Sequence, residues 1–163
     1  MSGPELWWLI AQDAFWSAVA STGFAVLFNV PRRTLVGCAL TGALGHSVRT
    51  LLIEWGGLPI EAATLVGATG VGFLALALAK RLRAPSLVFA VSGAIPMVPG
   101  VFAFRAMLLL LELMGLSTSQ PTAQDELLLL IVVDFTRTAL ILAAIALGIA
   151  MPRLLFLRHK PVV

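Results

Sequence analysis

Five apolar runs, each about 20 residues or longer, dictate what this chain can become. They cover residues 4–28, 34–53, 60–79, 86–114 and 123–150. A helix needs about 20 apolar residues to cross the ~30 Å hydrocarbon core of a bilayer. Within lipid every backbone N–H and C=O must be paired inside the protein, which leaves helices and closed barrels. Runs of this length specify helices. Composition agrees, since 60% of the 163 residues are hydrophobic and only 12% charged, against roughly a quarter charged in soluble domains. The expected fold is all-α: one transmembrane domain over residues 1–163, a helical bundle of five spans with the fourth broken at "IPMVPG".

The punctuation between runs carries topology. Arg32 and Arg33 follow the first run, Lys80, Arg81 and Arg83 the third, and Arg153, Arg158 and Lys160 the fifth. Glu5, Glu54, Glu61, Glu112, Asp125 and Glu126 occupy the opposite ends, and "STSQPT" links the last two runs. Cytoplasmic loops carry the excess of lysine and arginine, so the N-terminus is expected outside and the C-terminus in the cytoplasm. No basic segment precedes the first run, so no signal peptide is expected. The basic residues form short clusters rather than a nucleic-acid patch. Cys38 is the only cysteine, which excludes an internal disulfide, and it reads as a small packing residue. "GATGVG", 67–72, and the series Gly37, Thr41, Gly45 read as surfaces for close helix packing. No nucleophile–base set, metal-ligand spacing or cofactor motif occurs, so an enzyme, a metal site and a cofactor are not expected.

Apart from the charges at the ends of the runs, Asp13, His46, Arg49, Arg105, Asp134 and Arg137 remain within them. A charge at the bilayer centre costs at least ~2.5–3.5 kcal/mol on insertion scales, so such groups face a protein interior or a wet cavity. Proline removes an N–H and clashes with the carbonyl four residues back, and it drives the preceding residue from helical dihedrals. Pro96 and Pro99 therefore predict two half-helices, 86–95 and 101–114, joined by unwound backbone. The second would start with free N–H groups at Gly100, Val101 and Phe102 and a positive dipole end, with Arg105 one turn on. That set, with Arg49, is the expected carboxylate-binding group. Asp13, His46 and Asp134 are candidates for proton coupling. Asp13 reads equally as a counter-ion, His46 as a packing residue, and Arg49 as a partner of Glu54. Asp134 and Arg137, three apart on one helix, read as a structural ion pair. Three arginines against two aspartates leave one positive charge, to be balanced by an anionic substrate or a partner's acid.

"FNVPRR", "GALGHSVRTLL" and "IPMVPGVFAFRAM" carry a resemblance to the threonine/serine exporter family. More closely, the chain is similar to the short YjjB-like subunit of its split, two-chain branch. The resemblance implies secondary export of small carboxylates: threonine and serine, or dicarboxylates such as succinate. It also implies a bacterial plasma (inner) membrane setting and a larger YjjP-like membrane subunit as partner in a hetero-oligomer. The alternative is a non-transporting scaffold or stability subunit of a membrane complex.

Overall fold

The computed structural model describes residues 3–115 and 121–156. Arg158, Lys160 and most of the "STSQPT" linker lie outside them. The described elements are all helical: α1 Gly3–Leu27, a 3-10 turn Arg32–Thr34, α2 Leu35–Glu54, α3 Ile60–Leu82, α4 Ser86–Ala94, a 3-10 turn Ile95–Met97, α5 Gly100–Gly115 and α6 Pro121–Phe156. Three are long and apolar enough to cross a membrane: α2 with its preceding turn, α3 and α6. A fourth is added if Ser86–Met97 and Gly100–Gly115 form one span. Five such spans were expected. Helix α1 has the length, at 25 residues, but its apolar residues are diluted by Gln12, Asp13, Ser17, Ser21 and Thr22.

The chain divides into two compact units, one of Met1–Val98 with Ala144–Val163 and the other of Pro99–Ala143. In the first, α2 lies at the centre and packs on α1, α3 and α4. Small residues make this possible. A side chain at Gly67 would place its Cβ 2.7 Å from the Gly45 carbonyl oxygen, so α2 and α3 meet backbone to backbone. A Cβ at Gly42 would come 2.9 Å from the Ser17 carbonyl of α1 and overlap the Ser21 side chain. Close approach through small residues is how helices gain van der Waals contact where lipid removes the hydrophobic drive. Thr41 adds a polar tie, its hydroxyl 3.0 Å from the Phe89 carbonyl of α4. Ala25, Cys38, Ala75, Phe89 and Ala90 form an apolar core among these helices.

Burial in this unit is inverted relative to a soluble protein. Helix α1 buries Ser17, Ser21 and Ala25, while Trp7, Trp8, Phe15 and Trp16 are exposed. Trp7 and Trp55 line one shallow apolar recess with Leu6 and Leu51. Helix α6 runs to Phe156, six residues past the expected end at 150, and passes through Pro152. The proline removes a bond to the Gly148 carbonyl. Its ring is fully buried, and a Cβ at Gly72 would lie 2.9 Å from it, so packing holds the helix on course. An apolar cleft of about 310 Å³ opens nearby, lined by Gly72, Ala75, Ala90 and Ile149. Arg153 stands at this cleft and donates to the Ser86 hydroxyl at 2.9 Å. None of the predicted site residues lines it.

Between α4 and α5 the chain leaves α-helical geometry. It tightens into the 3-10 turn at Ile95–Met97, with Pro96 in its first positions, and Val98 is extended at φ −60°, ψ 132°. Helix resumes at Gly100. Both ends lie one residue earlier than the proline rule alone predicts. The first helix yields to the 3-10 turn before Pro96, and glycine is tolerated at the first helical position of the second.

Candidate functional site

His46, Arg49 and Thr50 occupy positions i, i+3 and i+4 of α2 and so share one face. That face meets Asp13 of α1 and the 3-10 turn. Arg49 Nη1 donates to the Met97 carbonyl at 3.1 Å, and Nη2 lies 2.7 Å from His46 Nε2. The Thr50 hydroxyl donates to Asp13 Oδ2. His46 Nδ1 lies 3.4 Å from the same carboxylate oxygen and 3.5 Å from the Thr50 hydroxyl. The four side chains and one backbone carbonyl form a continuous polar chain between otherwise apolar helices.

The break explains why Arg49 points there. In an uninterrupted helix the Met97 carbonyl would accept from the N–H of residue 101. Val98 is extended, and that bond is not made among the described residues. A buried carbonyl without a donor costs about 1–3 kcal/mol. The Arg49 guanidinium fills the vacancy with a charge-assisted bond. Asp13 and Arg49 cancel in charge while His46 is neutral, so the cluster as a whole need carry none into the membrane.

The second unit holds the other predicted residues. Ala103 N–H donates to the Pro99 carbonyl at 3.1 Å. The N–H groups of Gly100, Val101 and Phe102 precede this first α-helical bond and have no partner among the described hydrogen bonds. One turn on, Arg105 Nε lies 3.3 Å from Asp134 Oδ2. Asp134, assigned to Arg137 from spacing alone, is thus met by Arg105 of α5. Its carboxylate is buried, whereas the Arg105 side chain is 56% exposed. Arg137 places its guanidinium carbon 5.7 Å from the centre of the Phe102 ring, in cation–π range. The unit therefore holds three N–H donors near the start of α5, with Arg105 beside the buried Asp134 and Arg137 beside Phe102. Among the described residues no group of His, Cys, Asp or Glu is arranged to hold a metal ion.

Two participants escape a reading of the sequence. Thr50 carries no charge, and only its place one turn after His46 marks it. The Met97 carbonyl is a backbone group whose availability is implied by the prolines, but no side chain announces which cation will take it.

Residues 13–155 match the family described as Threonine/Serine exporter, ThrE. This stretch contains every residue of both clusters. An uncharacterized protein of Haemophilus influenzae (strain ATCC 51907 / DSM 11121 / KW20 / Rd) is 40% identical over 154 residues. The alignment covers 94% of this chain and 50% of that relative, so the chain spans about half the relative's length. No solved structure matches. With long apolar helices that bury small and hydroxyl side chains and expose aromatic ones, the chain is a multi-pass membrane protein, and it belongs to the threonine/serine exporter family, a family of transporters.

Proposed function

We propose that this chain is one subunit of a secondary exporter of small carboxylates, either succinate-like dicarboxylates or threonine and serine. Export itself is the family's activity; the substrate and the subunit role are our reading. The observation that carries it is Arg49, a guanidinium inside apolar helices, held on the carbonyl of a broken helix and flanked by Asp13 and His46. Discontinuous helices that offer free backbone groups near the midplane are a recurring device of transporters. Within the second unit a substrate carboxylate would be held by the N–H groups of Gly100, Val101 and Phe102 and by Arg105; within the first, Arg49 is the candidate anion-binding group. Asp13, His46 and Asp134 would handle protons.

In this reading the pair Ser86–Met97 and Gly100–Gly115 forms one broken span, and α1 forms another. Its exposed Trp7 and Trp8 suit a membrane–water interface. The N-terminus lies outside and the C-terminus in the cytoplasm of a bacterial inner membrane. The larger partner would be a YjjP-like membrane subunit.

The test is efflux from cells that express this chain alone, the larger subunit alone, or both. Efflux of succinate or threonine is expected only with both. Efflux by the purified chain alone in liposomes would overturn the two-subunit reading. Arg105→Ala separates carrier from scaffold: it is expected to slow turnover in a fully assembled complex. If it lowers complex abundance alone, the chain is a stability subunit.

A further inference from the structure

Arg49 can only donate hydrogen bonds, since a guanidinium has five N–H groups and no acceptor. Its 2.7 Å contact with His46 Nε2 therefore requires a lone pair on that nitrogen. A neutral imidazole satisfies this in one tautomer, with its proton on Nδ1. Nδ1 faces Asp13 Oδ2 at 3.4 Å, where a proton is wanted. The pair of neighbours thus selects the tautomer. A second proton has only Nε2 to occupy, and there it would point an N–H at an N–H and set two cations against each other. The ring and the guanidinium cannot both stay.

We propose that His46 is a proton-operated latch on Arg49: protonation at Nε2 expels the guanidinium from His46 and from the Met97 carbonyl, and so turns Arg49 into a free anion-binding group beside the helix break. The proposal rests on the carboxylate-exporter reading and names how that site is regulated. Arg49 leaves rather than His46, because the imidazolium keeps Asp13 as counter-ion on its Nδ1 side. The charges that act on His46 are Arg49 and Asp13, and on Arg49 Asp13; Glu54 stands five residues beyond Arg49 at the end of α2. From α1 the facing acid is Asp13, and Thr50 beside it is neutral. The 3-10 turn offers only the Met97 carbonyl, and α4 contains no ionisable residue. On α3 the neighbour of Arg49 is Gly67, with Glu61 six residues, or ~9 Å along the axis, away. Arg153 near the end of α6 is bonded to Ser86.

Charge follows the proton. The latched cluster sums to zero, with Asp13 negative, Arg49 positive and His46 neutral. The protonated cluster carries one positive charge, which a carboxylate cancels. Proton and carboxylate therefore bind together, and anion affinity rises as pH falls. Opening also returns the Met97 carbonyl to an unpaired state, which favours the latched cluster while no substrate is bound.

The sequence permits a direct test. Met97–Val98 is the only Met–Val pair, so carbonyl-labelled methionine with amide-labelled valine marks that one peptide bond. His159→Gln leaves His46 as the single histidine. In the full chain in lipid nanodiscs, nitrogen NMR at pH 8 is expected to show His46 with its proton on Nδ1. On acidification the Met97 carbonyl resonance should shift with the same midpoint as the ring. Arg49→Met should abolish that carbonyl response and release the tautomer. A Met97 carbonyl that ignores the ring, a proton on Nε2 at pH 8, or a ring that does not titrate between pH 4 and 9 overturns the latch, and the wild-type titration alone decides this. Succinate and threonine binding by the assembled complex forms the second arm. Binding should be tighter at pH 6 than at pH 8, by about tenfold for each pH unit over which His46 and not the ligand titrates, and His46→Gln should remove the dependence. A latch that titrates while no carboxylate binds at any pH stands, and the export reading falls. If a carboxylate binds while the Met97 carbonyl stays indifferent, the latch falls and the export reading stands.

Discussion

At the scale of single residues, the ionisable groups inside apolar runs were legible because lipid penalises them so heavily that each demands an explanation. Their partners were less so. Arg105 shows what is at stake. Its planar fork can hold a carboxylate with two parallel bonds, and lysine keeps the charge but loses that geometry. Arg105→Lys is expected to preserve assembly and weaken transport, and Arg105→Ala to weaken it further. Hydrogen bonds to charged groups contribute about 1.5–3 kcal/mol, so the alanine variant should lose roughly tenfold or more in substrate affinity, read as KM for efflux in the assembled complex. Unchanged efflux kinetics would remove Arg105 from the site. Spacing on α6 offered Asp134 a partner three residues away, and Arg105 of α5 meets it as well. A sequence pattern ranks neighbours along one helix; it does not see the facing helix, which here brings a second arginine.

At the scale of elements, apolar length placed the helices well, because a bilayer sets that length and little else competes. The close-packing series on α2 and α3 was legible for the same reason, since small residues at every fourth position have few other uses there. Ends were harder. The last apolar run was expected to end at 150, whereas Pro152 is buried against Gly72 and α6 continues. A proline stops a helix only where its lost bond is not offset by packing, and that depends on a distant glycine. Pro96 and Pro99 act differently, because the extended Val98 between them leaves three N–H groups and one carbonyl outside the helical ladder. Replacing both by alanine is expected to let the ladder close, to detach Arg49 from Met97, and to impair efflux at least tenfold without lowering thermal stability in detergent. Intact efflux in the double variant would reduce the stretch to a kink.

At the scale of the whole molecule, the alternation of basic and acidic ends predicts orientation. In a Cys38→Ser background, Leu58→Cys, between α2 and α3, is expected to react with an impermeant maleimide from outside intact cells. Lys80→Cys is expected to react only after the membrane is opened. The reverse pattern would invert the topology. Cys38 is fully buried, so its removal is a precaution rather than a requirement. The division into two units was not legible, since both consist of similar apolar helices and the boundary at residue 98 depends on which helices pack. The tryptophans fall on one side of the same line. All four tryptophans, Trp7, Trp8, Trp16 and Trp55, lie on the α1–α2 pair or at its end, the chain has no tyrosine, and Pro99–Ala143 contains neither. Ultraviolet emission is therefore a one-sided signal. It speaks for the unit that holds Asp13, His46 and Arg49, while the unit that holds Arg105 and Asp134 is optically silent.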